Sequence, residues 1–448
     1  TGVQVKISGN SEITATNEAD INANTTTKTN ITTGGATVGG TAASGTFSVL
    51  NVKRNSGVTV DNSKIAAKEI AIASKQAGTA NMNIYQGTIG GAAINVAVGI
   101  ASLTGENKVT LNKATLIGGT DETDGKAPKT SISVKAEDNS AVDVNVNGGT
   151  VGMTALGVLW SDASNTSENT VSVNNSTLRA AKDVYETEVD ENKNKIEKLI
   201  GYTDLNNIDI AAVKANTISA KTIGGAVGAN SAQGVVAKAT DSGSSKVTVT
   251  GNNSFIGNVV NIKAQNNPAV KAEAQAYSGA LLASAGATIA QAKADGNVEV
   301  NIGEGSEFTA KTVNAQASVG TQTDKANVEA KTIGGSVAGL GNVGFNEASA
   351  ENSMTVTNNV AKNTYVGVED LNIIADNASV IKADVFGVTI GGALSIANNL
   401  AKTTTKLTTN VSAAGTKDKV ETDEFGNQTI ISSLGNVNIK GAGYGDVT

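Results

Sequence analysis

The sequence contains no histidine and no cysteine, and aromatic side chains make up only 3% of its 448 residues. Imidazole and thiolate groups are the usual ligands of zinc and blue-copper sites, and histidine is the base of a Ser-His-Asp triad. The two absences therefore exclude those metal sites, thiol chemistry and that hydrolytic triad.

Arginine is also scarce. Only two arginines occur, Arg54 and Arg179, and the formal net charge is −7. Nucleic-acid recognition depends on clustered Arg and Lys, so no nucleic-acid partner is expected. The chain also lacks the run of about 18 apolar residues that a transmembrane helix requires.

Glycine and small apolar side chains dominate the composition instead. There are 50 glycines, and the hydrophobic fraction of 39% consists mostly of Ala, Val and Ile. A globular core of this size normally recruits larger side chains, which bury more area per residue. Val, Ile and Thr favour strands, and small or β-branched side chains suit a narrow interior. The composition therefore predicts an elongated, repetitive all-β protein.

A short glycine motif recurs along the chain. It reads TVGG at 37–40, TIGG at 88–91, 222–225, 332–335 and 389–392, and GTVG at 149–152, with a degenerate YSGA at 277–280. Tyr277 lies midway between Thr222 and Thr332, so three successive copies are evenly spaced. This spacing indicates a repeat of about 55 residues.

The motif lacks the spacing of a dinucleotide or P-loop site, so we interpret it as structural. Glycine permits a tight corner or a close approach of stacked backbones, and we expect the motif to mark one fixed position in each repeat. The repeat glycines are Gly39, Gly40, Gly90, Gly91, Gly224, Gly225, Gly334, Gly335, Gly391 and Gly392.

Two strand-like segments keep step with the motif. The first includes KVTLNKATLI at 108–117 and KVTVTGNNSFI at 246–256, and the second includes SISVKAED at 131–138 and VVNIKAQNN at 259–267. Both alternate apolar and polar residues, as does a strand with one buried face. The third segment, which carries the glycine motif, alternates with alanine on one face.

Strands repeated in this way predict a right-handed parallel β-helix (β-solenoid), in which each coil hydrogen-bonds to its neighbours. A coil commonly needs roughly 20–30 residues, so we expect two coils in each repeat. Residues 1–448 would form a single elongated segment. Stacked β-sandwich domains are the alternative architecture, but they use a bulkier core.

Three segments interrupt the repeat, at 118–130, 180–207 and 413–429. All three fall between the first and second strand segments, so we expect them on one edge, where a repeat protein typically contacts its partners. Segment 180–207 fits a helix or a hairpin in which VYETEV and NKIEKL pair across DENK, and we favour the hairpin. KVETDEFGNQTI in the third segment suggests another. The candidate contact residues are Asp121, Asp124, Asp183, Tyr185, Glu186, Glu188, Asp190, Lys195, Lys198, Tyr202 and Phe425.

Acidic residues raise two other possibilities. Asp121, Glu122 and Asp124 resemble the start of a calcium loop, but the twelfth position of that pattern is Ile132 in place of glutamate. Carboxylate pairs could cleave glycosides, but the few aromatic residues form no cluster that would hold a sugar ring. We therefore expect no catalytic, cofactor-binding or metal-binding residues and no enzyme activity.

The TIGGA repeats, the Ala/Val/Asn-rich strands and the lack of Cys and His resemble the large filamentous hemagglutinin-like adhesins of Gram-negative bacteria, and among them the leukotoxin-type filamentous adhesins of fusobacteria. This resemblance implies a right-handed parallel β-helix, export by an outer-membrane type V transporter, and a secreted or cell-surface location. It also implies binding to a protein or glycan on host cells, with leukocytes among the candidate targets, and it offers no catalytic residue.

The resulting hypothesis is an internal, monomeric segment of a bacterial adhesin or toxin, with the β-helix as a stalk. A β-helical polysaccharide lyase or hydrolase and a passive structural spacer are the alternatives.

Overall fold

The computed structural model describes residues 2–119, 129–189, 195–321, 323–361, 365–413, 431–433 and 436–447. Within these ranges every regular element is a β-strand and no helix occurs. The all-β prediction is confirmed. The strands are β1 Gly2–Ile7, β2 Glu12–Thr14, β3 Glu18–Asp61, β4 Lys64–Ala66, β5 Glu69–Asn112, β6 Thr115–Gly118, β7 Thr130–Asn165, β8 Glu168–Asn174, β9 Thr177–Ala180, β10 Lys182–Val189, β11 Lys195–Thr203, β12 Asn207–Lys214, β13 Thr217–Asp241, β14 Ser244–Thr250, β15 Ser254–Asn266, β16 Ala269–Ala294, β17 Asn297–Ile302, β18 Glu307–Val319, β19 Ala326–Ala338, β20 Gly341–Asn352, β21 Thr355–Val360, β22 Tyr365–Gly391, β23 Leu394–Thr405, β24 Thr408–Ala413, β25 Ile431–Ser433 and β26 Val437–Val447.

Side chains alternate between the interior and the outside along most of these strands. In β17, for example, Val298, Val300 and Ile302 are buried, and the polar residues between them face outward. The buried apolar residues are mainly Ala, Val and Ile, as the composition predicted. Each fully buried Val or Ile side chain stabilises the fold by about 1.5–3 kcal/mol relative to exposure.

The strands stack in eight layers by parallel pairing. Val3 lies opposite Ser56 and Ser56 opposite Asn107, so each step to the next layer consumes one whole copy of the repeat. The predicted two coils per repeat is therefore wrong, because each layer uses one complete repeat. One row of paired residues numbers layers 1 to 8: Val3, Ser56, Asn107, Asn169, Ser245, Val298, Val356 and Thr409.

A narrow arm accounts for the length of each layer. The segment with the glycine motif runs outward and then folds back on itself, and we call this double segment the arm. In layer 4, Thr222 Oγ1 donates a hydrogen bond to the carbonyl oxygen of Val236 at 2.8 Å. In layer 5, Ser284 Oγ donates to Ser278 Oγ at 2.7 Å. Side chains meet across the arm because the backbone groups already pair with adjacent layers. The arm thus lengthens a layer without adding a second one.

The glycine motif occupies two registers in these arms. Thr37, Thr88 and Thr150 lie opposite one another in successive layers. Thr222, however, lies opposite Val146, and the residue opposite Thr150 is Ala226, four positions later. The expectation of one fixed motif position in every repeat is therefore wrong. The residues on both sides of the motif are also small, so the motif fits the arm at either of two positions four residues apart.

Close approach between layers explains some of the repeat glycines. A Cβ atom on Gly90 would lie 2.5 Å from the carbonyl oxygen of Gly39, and one on Gly91 would lie 2.7 Å from that of Gly40. No neighbouring atom lies within 4 Å of a Cβ placed on Gly40. The close-approach interpretation is confirmed for Gly90 and Gly91 and is wrong for Gly40.

A second group of glycines makes room for side chains across the arm. A Cβ on Gly224 would overlap the side-chain amide of Gln233, and one on Gly334 would overlap that of Asn346. The neighbouring Gly225 has its nearest contact at 3.9 Å, which is ordinary spacing. Gly224 and Gly334 therefore leave room for a side-chain amide from the other side of the arm, and Gly225 has no close neighbour.

Two of the three insertions share one position. Gly118 pairs with Ala180 before the insertions, and Thr130 pairs with Asn207 after them, so segments 118–130 and 180–207 interrupt the same corner.

The third insertion lies one corner earlier. Its flanks are Ala413 and Ile431. By strand register, Ile431 lies in the same column as Val366, Phe308, Phe255 and Leu178 of β9. Segment 413–429 therefore enters before the equivalent of β9, whereas the other two follow it. The expectation of a single position is wrong here, because β8 and β9 are separate strands that look continuous in the sequence. Residues 414–430, including the suggested second hairpin, lie outside the described residues.

Charged side chains are buried among the apolar ones. Arg54 Nη2 of layer 1 lies 3.6 Å from Asp138 Oδ1 of layer 3, and both side chains are almost fully buried. Lys214 Nζ of layer 4 lies 3.3 Å from Asp241 Oδ1 and donates to the Ser167 carbonyl of layer 3 at 3.1 Å. A buried charge is costly unless it is paired, and these contacts provide the pairing.

Candidate contact site

Segment 180–207 contains an antiparallel β-hairpin. Among the residues that the structure describes, strands β10 and β11 pair with each other and with no strand of the layers. Tyr185 lies opposite Leu199 and Glu186 opposite Lys198, across the DENK sequence that was predicted as the turn. The hairpin interpretation is confirmed, and the helical alternative is wrong.

An ion pair connects the base of this hairpin to β9. Arg179 Nη1, at the end of β9, lies 2.7 Å from Asp183 Oδ1 at the start of β10. Tyr185 donates its hydroxyl proton to Asp183 Oδ2 at 3.1 Å. This hydrogen bond to a carboxylate raises the pKa of Tyr185. Asp183 was predicted as a partner contact, but in this structure its carboxylate anchors the hairpin.

Apolar side chains of the hairpin are exposed. Tyr185 is 53% exposed, Leu199 41% and Ile200 56%. Tyr185 and Leu199 are directly opposed, so their side chains lie on the same face of the two-stranded sheet. We call Tyr185, Leu199 and Ile200 the hairpin patch. An amphipathic aromatic ring beside aliphatic groups is typical of residues that contribute strongly to protein interfaces.

The remaining predicted contact residues fall into two groups. Glu186, Glu188, Lys195, Lys198 and Tyr202 all lie in β10 or β11, so the structure places them in the hairpin with the patch. The predicted residues Asp121, Asp124, Asp190 and Phe425 lie outside the described residues.

A second exposed surface on the arms was not predicted. One row of paired positions carries β-branched apolar side chains on the outside, from 48% exposed at Val151 to 76% at Val38. This outer apolar column consists of Val38, Ile89, Val151, Val227, Val337 and Ile390, with Gly279 in layer 5.

The arms reverse the usual assignment of polar and apolar residues. Thr88 is buried while Ile89 beside it is half exposed. The Thr88 hydroxyl is hydrogen-bonded to the hydroxyl of Ser44, which lies on the arm of layer 1. The signal was present in the motif itself, since its Val or Ile alternates with an inward threonine, but alternation alone does not identify the inner face. Exposed apolar patches of this kind commonly mark contact surfaces.

The described ranges contain no cluster of three or more His, Cys, Asp or Glu side chains placed to hold a metal ion. No helix long and apolar enough to cross a membrane occurs in that part of the chain.

Comparison of the chain with protein-family models, with curated proteins and with solved structures found no match. The functional argument therefore depends on the residues and their geometry.

Proposed function

We propose that this chain is the stalk of a secreted or surface-anchored bacterial adhesin or toxin, and that it acts by binding host cells. Its layers would wind as a right-handed parallel β-helix, the hand that right-twisted parallel strands favour. The hairpin patch would contact a protein or glycan on the host cell. The mechanism is binding, without turnover of a substrate.

The hairpin is the observation that carries this proposal. It is an excursion, from Lys182 to Thr203, out of layers whose other strands pair continuously. In layer 5 the same corner is turned by Gly257, Asn258 and Val259 alone. The stacking of layers therefore does not require the hairpin. Loops that extend from a rigid scaffold and expose aromatic and aliphatic groups commonly carry binding function.

The test replaces residues 180–207 with Gly-Asn-Val, the three residues that turn this corner in layer 5. We expect the β-rich circular dichroism spectrum to be retained and saturable binding of labelled chain to leukocytes or epithelial cells to be lost. Within the hairpin, Tyr185→Ala and Leu199→Ala should each weaken binding by roughly 10- to 30-fold, as expected for central interface residues.

Val158→Ala is the matched control, because Val158 is similarly exposed but lies on an arm, outside the outer apolar column. It should leave the affinity unchanged. Unchanged binding by the Gly-Asn-Val variant would refute the hairpin as the contact and would favour the passive spacer. Release of unsaturated uronate or reducing sugar from acidic polysaccharides would contradict a purely binding mechanism.

A further inference from the structure

A polar groove crosses the outer face of layers 3 to 6. Strands β7, β12, β15 and β18 lie side by side there, and Lys135, Ala211, Lys263 and Gln316 are paired in one column. The groove has a volume of about 310 Å³, close to the lower limit of small-molecule sites. Ala211 forms the floor, because its methyl group leaves a gap between two lysine side chains.

Two ammonium groups border this gap. Adjacent layers are about 4.8 Å apart, so the Cα atoms of Lys135 and Lys263 are separated by about 10 Å, and both side chains can reach a point above Ala211. Neither ammonium has an ion pair or hydrogen bond with any residue that the structure describes. Burial lowers the pKa of Lys263. A half-buried cation without a partner is unfavourable, and a bound anion would relieve that cost.

The acidic side chains of the groove are already engaged. Glu137 Oε2 lies 3.2 Å from Lys75 Nζ. Asp209 accepts hydrogen bonds from Asn261 Nδ2 at 2.7 Å and from the Thr130 hydroxyl at 3.1 Å. Neither carboxylate is ion-paired with Lys135 or Lys263 in the part of the chain that the structure describes. With Lys75 counted, three ammonium groups face two carboxylates here, so the net charge at the groove is positive.

A ladder of amides runs beside the lysines. Asn314 Nδ2 donates to Asn261 Oδ1 at 2.8 Å, and Asn372 Nδ2 donates to Asn314 Oδ1 at 2.8 Å. Each side-chain amide has two N–H donors and uses one of them along the ladder. The second donor of Asn261 and of Asn314 can therefore bind a hydroxyl oxygen in the groove, which both residues line.

We propose that this groove binds an acidic sugar. The ammonium groups of Lys135 and Lys263 would hold its carboxylate or phosphate group above Ala211, and the amides of Asn261 and Asn314 would hydrogen-bond its hydroxyl groups. Two ammonium groups converging on one anion supply charge, and the adjacent amides select for a polyhydroxylated ligand. The site is distinct from the hairpin patch and does not depend on the proposed cell binding.

The test is isothermal titration of the complete chain with glucuronate, glucose 6-phosphate, glucose and inorganic phosphate. We expect the two acidic sugars to bind more tightly than either glucose or phosphate alone, and their relative affinities distinguish a carboxylate from a phosphate ligand. Lys263→Gln should weaken binding of the tighter sugar by roughly 10- to 100-fold, as expected for a charged hydrogen bond. Ala211→Leu should abolish it by filling the floor without changing the charge.

Lys311→Gln is the control for the loss of one positive charge, because Lys311 is exposed and lies near Glu369, outside the groove. It should bind as the wild type does. Circular dichroism of each variant verifies folding, and both groove substitutions are on the outward face. The proposal is overturned if no acidic sugar binds, if glucose binds equally well, or if Lys263→Gln behaves like Lys311→Gln.

Discussion

Gly90 and Gly87 provide a sharp test of how the layers pack. Both lie in β5, on the arm of layer 2. A Cβ on Gly90 would lie 2.5 Å from the Gly39 carbonyl oxygen and 3.0 Å from the Ala42 Cβ, whereas a Cβ on Gly87 has no neighbour within 4 Å. Gly90→Ala thus forces a backbone atom about 0.9 Å inside ordinary van der Waals contact.

Comparing Gly90→Ala with Gly87→Ala separates the cost of this clash from the effect of the substitution on the entropy of the unfolded chain. Replacing glycine by alanine in a strand stabilises by about 0.5–1 kcal/mol, and this contribution is common to both variants. Overpacking costs about 1–3 kcal/mol, and only Gly90→Ala incurs it. We therefore expect Gly87→Ala to be slightly more stable than the wild type, and Gly90→Ala to be less stable than Gly87→Ala by about 1–3 kcal/mol.

Urea unfolding followed by circular dichroism measures this difference, and hydrogen exchange locates it. Exchange in Gly90→Ala should accelerate in the arms of layers 1 and 2 and remain unchanged in distant layers, because neighbouring layers carry the contact. Equal urea midpoints for the two variants would refute the close-approach explanation of the motif.

Two further substitutions test the interior. Phe255 and Phe308 stack in adjacent layers with ring centroids 4.7 Å apart, and both are buried. Phe255→Ala should lower the free energy of unfolding by about 3–5 kcal/mol, while Phe47→Ala, at an exposed site, should change it by no more than about 0.5 kcal/mol. Burial raises the pKa of Asp241 above its ordinary value of 3.8 by more than the charge of Lys214 lowers it. The native state therefore binds more protons than the unfolded chain between those two pKa values, and this stability is lost as the pH rises through the raised one. Relative to Asp241→Asn, the wild type should gain stability in urea as the pH falls through that window, and a loss there would contradict this sign.

Local patterns predict the strands and repetition predicts their stacking. SISVKAED at 131–138 alternates apolar and polar residues and lies within β7, and the equivalent segments of later layers pair with it in parallel. The hairpin was also predictable, because two alternating segments flank the polar DENK sequence. These signals are contained in short windows or in exact repetition, so they need no knowledge of the tertiary fold.

The sequence patterns did not reveal how many residues form a layer or which face of the arm is buried, and both became known only from the three-dimensional structure. Alternation shows that Thr88 and Ile89 lie on opposite faces, but it does not reveal that the threonine is the buried one. Likewise, Lys135 and Lys263 belong to different repeats, far apart in the sequence, and flank the same alanine only after the layers stack. The anchoring role of Asp183 depends on how β9 meets β10, which no sequence pattern specifies.

Register between the layers requires a signal stronger than alternation. A slip of two residues would keep every apolar side chain on its original face, and the glycine motif already occupies two registers. The buried charges oppose such a slip. Arg54 of layer 1 reaches past Gly78 of layer 2, whose Cβ would lie 3.0 Å from Arg54 Nη1, to meet Asp138 of layer 3. Separating that guanidinium from its carboxylate inside the protein would cost about 3–5 kcal/mol. Because a buried Arg–Asp pair occurs once among the described parts of these otherwise similar layers, it specifies which layer lies beside which, and the repeated residues cannot.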